Sequence, residues 1–180
     1  MKTIITYASH YGSSQEYANW LSEALFTKAY EISKIKIDAL FSYDMIIHIG
    51  GIYGSNVLGF SKIAKQLDAL SGKTILLCMV GMTNPEEAEK YKAVYAHNVP
   101  VQYQERVKPF PLRGNQLFSK MSAMHRLMMR FPKSQITKKP QSEWTKEDHL
   151  FMESFGKDTY FVNKSYLNDI IAHVNALQNG

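Results

Sequence analysis

The sequence has almost no cysteine, no long hydrophobic run and no pattern typical of a secretory signal. Cys78 is the only cysteine, so the chain cannot form an internal disulfide. The strongest apolar run, from Thr74 to Val80, has the length of a buried strand and is far shorter than the roughly 18 residues that a membrane span needs. The first residues lack an apolar core followed by a cleavage site. We therefore expect a cytoplasmic protein with Cys78 as a small core residue.

Acidic residues are missing from one long stretch. Between Arg106 and Lys139 the chain has nine Lys and Arg residues and no Asp or Glu. The whole chain has 21 basic and 16 acidic residues, which leaves 12 basic against 16 acidic outside this stretch. The net charge of +5 therefore comes from one basic segment in a mildly acidic body. A hydrophobic content of 45% and a charged content of 21% are ordinary for a globular domain and exclude disordered and fibrous classes.

Apolar periodicity predicts that strands and helices alternate along residues 1–180, which we interpret as a single domain. The predicted strands cover 2–8, 31–37 (an outer strand), 44–49, 74–80 and 107–112, the last irregular because of Pro109 and Pro111. The predicted helices cover 13–26, 60–70, 85–95 and 164–177, with Asn84 as the N-cap of the third. This order predicts an α/β fold with an open, doubly wound parallel sheet.

Ligands of such sheets bind beyond the carboxyl ends of the strands, and three loops lie there. The first, Ser9–Ser14, is rich in Ser and Gly and opens into a helix, which predicts an anion site. It has no Lys and no Gly-x-Gly-x-x-Gly pattern, so it matches neither a triphosphate loop nor a dinucleotide fingerprint. It favours a single phosphate bound by neutral donors, with a plain helix cap as the alternative.

The other two loops provide space for a flat ligand. Four glycines lie in the ten residues 50–59, and their backbone can approach a ring closely. Tyr53 could stack on that ring, although the loop could equally be flexible with Tyr53 on the surface. The third loop, 81–85, is by itself an ordinary strand-to-helix turn.

Taken together, the loops resemble those of the flavodoxin family. Ser9-His-Tyr-Gly-Ser-Ser14 is similar to the Ser/Thr-x-Thr-Gly-x-Ser/Thr loop that wraps the phosphate of flavin mononucleotide (FMN), with Tyr11 in place of the usual Thr. The resemblance implies a flavodoxin-like five-stranded parallel sheet of order 2-1-3-4-5 and non-covalent FMN between loops 51–56 and 81–84. Because Met82 replaces the usual aromatic residue, Tyr53 is the better stacking candidate.

The resemblance implies FMN contacts at fifteen positions and neither a catalytic side chain nor a metal site. These positions are Ser9, His10, Tyr11, Gly12, Ser13, Ser14, Gly51, Ile52, Tyr53, Gly54, Ser55, Asn56, Gly81, Met82 and Thr83. His48, in a predicted buried strand, is interpreted as a core residue with satisfied hydrogen bonds.

Within the family, the chain most resembles the flavodoxin-domain proteins similar to menaquinone-dependent protoporphyrinogen oxidase. It shares their Gly-x-x-Tyr-Gly segment after the third strand, here 50–54, and a basic, Met-rich helical insertion after the fifth strand, here 113–143. On a helical wheel the residues predicted to form one apolar side of the insertion are Leu117, Met121, Met124, Met128 and Phe131.

Three interpretations of the insertion remain open from the sequence. It could pack on its own domain and leave a solvated basic face. It could instead form a wall over the flavin that accepts an apolar partner, its basic groups meeting porphyrin propionates or the headgroups of an anionic membrane surface. Binding of nucleic acid is disfavoured, because the segment has no aromatic platform and no base-reading module.

The resemblance implies an FMN-dependent oxidoreductase that passes electrons between an apolar substrate and a quinone, with a quinone or a porphyrinogen as the small-molecule partner. The alternative is a flavodoxin-type electron carrier without a substrate, although carriers are usually acidic around the flavin. A signalling receiver domain is excluded, because Gly50 and Gly51 stand where such a domain needs Asp at the end of the third strand.

Overall fold

The central sheet has five parallel strands in the computed structural model, which describes residues 1–179. They are β1 (Thr3–Ala8), β2 (Ala29–Glu31), β3 (Met45–Tyr53), β4 (Thr74–Gly81) and β5 (Val107–Arg113). Their order across the sheet is β2-β1-β3-β4-β5, which confirms the predicted fold class and strand order. A two-residue strand, Asn56–Val57, pairs antiparallel with the end of β3.

Helices cover both faces of this sheet, and a second group of helices follows β5. In chain order the α-helices are α1 (Ser13–Ala24), α2 (Phe60–Ala64), α3 (Ala88–Asn98), α4 (Ala123–Met128), α5 (Arg130–Thr137), α6 (Lys146–Ser154) and α7 (Asn168–Asn179). Within residues 1–179, none of them is both long enough and apolar enough to span a bilayer.

The core consists of two layers, one on each face of the sheet, because successive side chains of a strand point in opposite directions. Ile46 and Leu77 belong to the layer that α2 and α3 cover, with Phe60 at its centre. Ile47 and Leu76 belong to the layer under α1 and α7. The near-continuous apolar strands of the sequence are thus explained by burial on both faces. Cys78 is fully buried in the second layer, as predicted.

The predicted outer strand over 31–37 is wrong. β2 ends at Glu31, and a 3-10 turn over Ile32–Lys34 follows. The carboxylate of Glu31 accepts a hydrogen bond from the Ser33 hydroxyl and pairs with Lys34, so local side-chain contacts favour the turn over strand pairing. Ile32 is buried in the core, which explains the apolar alternation without a strand.

Two predicted helices differ in extent from those observed. The helix predicted over 60–70 is α-helical only to Ala64, and tight turns then keep Leu67 and Leu70 buried at helical spacing. The helix predicted from residue 85 begins at Ala88, so Asn84 is not its N-cap. Instead the Asn84 side chain accepts a hydrogen bond from the N–H of Glu86 and forms a local turn.

The prediction of one amphipathic helix in the insertion is also wrong, because this segment forms a turn and two short helices. Phe118–Lys120 forms a 3-10 turn, α4 ends at Met128 and α5 begins at Arg130. The side chains of Met124 and Phe131, predicted to be on the apolar side, are 66% and 69% exposed, whereas Met121 and Met129 are buried. Beyond the predicted limit of 143, α6 and the strand Asp158–Thr159 continue the same segment, and this strand pairs with Gln116–Leu117.

His48 joins β3 to the loop that follows it, which confirms its interpretation as a core residue. Its Nε2 lies 2.7 Å from the Leu58 carbonyl, which can only accept, so Nε2 carries the proton. Its Nδ1 lies 2.9 Å from the Thr6 hydroxyl and therefore accepts from it. Complete burial lowers the pKa of the His48 imidazole to about 4.

We therefore expect His48 to make the folded state sensitive to mild acid. In the unfolded chain the imidazole has an ordinary pKa near 6.5 and takes up a proton that the folded chain excludes. Stability is retained above pH 6.5, falls as the pH drops from 6.5 and levels off near pH 4. Between pH 7 and pH 5 the free energy of unfolding should fall by about 2 kcal/mol more in the native chain than in His48→Gln, measured by urea unfolding. Equal losses in the two proteins would contradict this assignment.

Candidate functional site

A cavity of about 220 Å³ opens at the carboxyl ends of β1, β3 and β4. It adjoins a second space of about 250 Å³ and shares Ile52, Gly54, Gly81 and Met82 with it. Eleven of the fifteen predicted contact residues line the first cavity: Ser9, His10, Tyr11, Ser13, Ser14, Gly51, Ile52, Tyr53, Gly54, Gly81 and Met82. The structure therefore brings the three predicted loops together at one site.

The loop after β1 presents the start of α1 to this cavity. Gly12 is the N-cap residue, with a positive φ of 96°, and it provides no side chain to cap the helix. Its N–H donates to Ser9 Oγ at 3.0 Å, which fixes the loop. The first N–H groups of α1 are thus left without a side-chain cap beside the hydroxyls of Ser13 and Ser14, an arrangement that suits an anion.

Four aromatic rings meet above this loop. The Tyr53 ring centroid lies 4.7 Å from that of His10 and 4.9 Å from that of His125. The Tyr11 ring stands edge-on to His125 at 5.6 Å. Burial raises the pKa of the Tyr53 hydroxyl well above its usual range, so the hydroxyl stays protonated at neutral pH.

Tyr11 connects the loop to the basic insertion. Its hydroxyl accepts a hydrogen bond from the N–H of Ser122 at 3.2 Å. The same hydroxyl is hydrogen-bonded to Nδ1 of His125, in the first turn of α4. The position at which the sequence departs from the family's Thr thus joins α4 of the insertion to the phosphate loop.

Two glycines keep the floor of the cavity open. A Cβ at Gly51 would lie 3.0 Å from the Tyr53 ring and 3.6 Å from Ser14 Oγ. A Cβ at Gly81 would lie 3.0 Å from Ile52 and 3.1 Å from the Tyr91 hydroxyl. Larger residues at these positions would displace the walls that the flat part of a ligand needs.

Four predicted contact residues do not line this cavity. Gly12 shapes the turn through its backbone, and Thr83 lines the adjoining space. Ser55 and Asn56 are exposed at the tip of the hairpin, where the Ser55 carbonyl accepts from the Asn98 side chain. They lie outside the cavity because β3 continues through Tyr53 and carries the turn beyond its mouth.

Seven lining residues were missed by the sequence prediction: Val80, Gly114, Asn115, Met121, His125, Met128 and Met129. Gly114 and Asn115 follow β5, so the rule that found the other loops could have found them. Asn115 donates its N–H to Ser13 Oγ at 3.0 Å and thereby ties this end of β5 to α1. His125 and the methionines have no sequence spacing that indicates a site.

Comparison with known protein families shows which family the chain belongs to. A family model of the flavodoxin domain matches residues 4–143. The chain belongs to the flavodoxin domain family. The comparison with curated proteins found no match.

Solved structures of other flavodoxins are similar to this chain at low identity. Flavodoxin 2 from Bacillus cereus is 20% identical with a TM-score of 0.46, over 63% of this chain and 84% of that one. A WrbA-like flavodoxin from Agrobacterium tumefaciens is 17% identical with a TM-score of 0.43, over 68% and 85% of the two chains. A Fusobacterium nucleatum flavodoxin bound to flavin mononucleotide is 19% identical with a TM-score of 0.37, over 55% and 66%.

FMN is the cofactor of flavodoxin domains, and the residues of this cavity fit it. The uncapped start of α1, with Ser9, Ser13 and Ser14, would hold the phosphate through neutral donors. Gly51, Gly54 and Gly81 line the part of the cavity where the ring system would lie.

Ser9 offers a direct test of the phosphate position. In Ser9→Asp a carboxylate can still accept from the Gly12 N–H but adds a negative charge beside the phosphate. We expect the Kd for FMN, measured by quenching of flavin fluorescence, to rise by at least about a hundredfold. Ser9→Asn introduces a side chain of the same size as Asp but without its charge, and it should keep the Kd for FMN within severalfold of the native value. If both variants changed the Kd equally, the phosphate would lie elsewhere.

Proposed function

We propose that this flavodoxin-domain protein is an FMN-dependent oxidoreductase that transfers electrons from an apolar substrate to a quinone, as in proteins resembling menaquinone-dependent protoporphyrinogen oxidase. Bound FMN supplies one- or two-electron transfer. In each turnover the substrate loses two electrons and two protons, and the quinone takes up two electrons and two protons to become a quinol. A porphyrinogen is the substrate that the family resemblance suggests.

The observation that carries this proposal is the place of the insertion. Met121, His125, Met128 and Met129 form one wall of the FMN cavity, so a partner that reaches the ring must pass methionine side chains. Flexible thioethers adapt to apolar molecules of irregular shape. A wall of this kind favours a small apolar partner over another protein.

The charge near the cavity supports the same partner class. The stretch from Arg106 to Lys139 has no acidic residue, and its helix α4 lines the cavity through His125 and Met128. A carrier that docks on basic proteins would need the opposite sign around its flavin. Basic groups instead suit a substrate that carries carboxylates.

We also propose that the outer side of the insertion contacts an anionic membrane surface, from which a quinone can be drawn. Met124, Leu127 and Phe131 are each more than 60% exposed on adjacent turns of α4 and α5. Arg126 and Arg130 are exposed between them. Apolar side chains surrounded by basic ones are typical of contact with anionic headgroups.

The test uses the FMN-loaded full chain under anaerobic conditions. Protoporphyrinogen and the soluble quinone menadione are supplied, and the formation of fluorescent porphyrin is followed. We expect turnover that requires both FMN and menadione. A protein that shows flavin absorption bands and no turnover with porphyrinogen or quinone would contradict the enzyme and favour the electron carrier.

Two methionines of α4 form a matched pair for this assay. Met128 lines the cavity, whereas Met124 lies on the outer side. Met128→Gln should lower turnover with menadione severalfold and leave the flavin spectrum unchanged, because it adds a polar group to the partner's path. Met124→Gln should keep this rate and reduce only the rate with menaquinone supplied in phosphatidylglycerol vesicles. If both variants had the native rate in both assays, the hypothesis that the partner contacts the insertion would be contradicted.

A further inference from the structure

Another cavity, distinct from the two spaces described above, lies beside the FMN cavity. Met82 and Met129 separate the two cavities and line both. Its volume is about 420 Å³. The loop after β4 forms one side, and α5 and α6 form the other. Its walls are largely apolar, from Ile136, Leu150, Phe151 and Phe161.

Arg113, the last residue of β5, lies in the wall of this cavity and is only 8% exposed. Its guanidinium lies 4.2 Å from the centroid of the Phe161 ring. Its Nη2 donates to Glu147 Oε2 at 2.8 Å. Its Nε is buried and has no hydrogen-bond partner among the described residues.

A buried donor without a partner is unusual, and one on a charged group is costly. Packing alone does not require an arginine here, because an apolar side chain could cover Phe161 without that cost. The sheet holds the Arg113 backbone firmly, since the Tyr17 hydroxyl donates to its carbonyl at 2.7 Å. Arg113 thus combines a rigid position in the wall of an apolar cavity with a guanidinium whose hydrogen-bonding capacity Glu147 alone does not fill.

Among the described charged groups around the cavity, Glu147 is the one that pairs with Arg113. Besides Arg113, the lining includes the cations Lys90 and Lys139 and the carboxylates Glu147 and Asp148. Asp148 is already used, because it accepts from the Thr145 N–H in the capping box of α6 and lies 3.5 Å from Lys139 Nζ. The capping box also fixes the first turn of α6, which brings Glu147 to one edge of the guanidinium and leaves Nε free.

We propose that this cavity binds an apolar molecule with a carboxylate or similar anionic group, which pairs with the guanidinium of Arg113. Arginine forms strong, directional hydrogen bonds with such groups, and an apolar surround strengthens them. The inference rests on the proposed function in one respect: the shared Met82 and Met129 place the apolar body of this molecule beside the flavin, where a substrate must be. It assigns to Arg113 the recognition of the carboxylate that the proposed substrate carries.

Two fluorescent probes with the same apolar body test this site in the FMN-loaded protein. 8-Anilinonaphthalene-1-sulfonate carries an anionic group, and N-phenyl-1-naphthylamine lacks it. We expect Arg113→Gln to raise the Kd of the sulfonate probe about tenfold and to leave that of the neutral probe unchanged. Lys108→Gln, which removes an exposed cation of the same basic stretch outside the cavities and outside the proposed membrane-facing surface, should change neither Kd.

Glu147→Gln provides a test that keeps Arg113 in place. Removing the competing carboxylate should lower the Kd of the sulfonate probe severalfold and leave that of the neutral probe unchanged, whereas damage to the fold would expose apolar surface and strengthen the binding of both probes. An unchanged or higher Kd in Glu147→Gln, or an equal effect of Arg113→Gln on both probes, would overturn the proposal. These binding results are independent of turnover: an Arg113-dependent probe site without porphyrinogen oxidation would contradict the proposed substrate and leave the anion site standing.

Discussion

The hydroxyl of Tyr11 joins two parts of the chain that are more than a hundred residues apart. On one side it belongs to the loop that precedes α1, and on the other it binds the backbone of Ser122 and the ring of His125. Without this contact the basic segment after β5 would have no polar attachment to the rim of the FMN cavity at α4. It lies beside the methionines that line the cavity and beside the contact of the His125 ring with Tyr53.

This contact is effective because the sheet holds its surroundings firmly. Tyr17 links α1 to the end of β5 and to the chain before α7, through the Arg113 carbonyl and the Asn163 N–H. Tyr91 lies between the carbonyls of Thr83 and Leu112, which joins the loop after β4 to β5. Burial raises the pKa of both phenols well above the usual range, so they remain protonated donors across ordinary pH. Tyrosine hydroxyls thus fix the loops after β1 and β4 and the backbone of the buried arginine beside the site.

The sequence was sufficient to predict the parts that depend on short-range patterns. Strands buried on both faces show as apolar runs, which predicted the α/β class. The Ser- and Gly-rich turn after β1 resembles the family's phosphate loop, and this resemblance predicted the sheet order and most of the residues that line the cavity. The alternation of apolar and polar residues after Glu31 led to the wrong prediction of a strand, because Ile32 reaches the core from a 3-10 turn. The insertion could not be predicted in detail, because its buried side is determined by long-range contacts: His125 with Tyr11, and Asn115 with Ser13 and Phe161. Helical periodicity contains no information about such contacts.

The phosphate loop and the insertion together form one FMN cavity, which is the arrangement that the proposed function requires. Hydrogen–deuterium exchange of the full chain, with and without FMN, tests it most directly, because exchange reports local opening. If the claim is correct, FMN slows exchange in peptides covering 121–129 together with those covering 9–14 and 51–54. Slower exchange in the two loops, with unchanged exchange in 121–129, would contradict it.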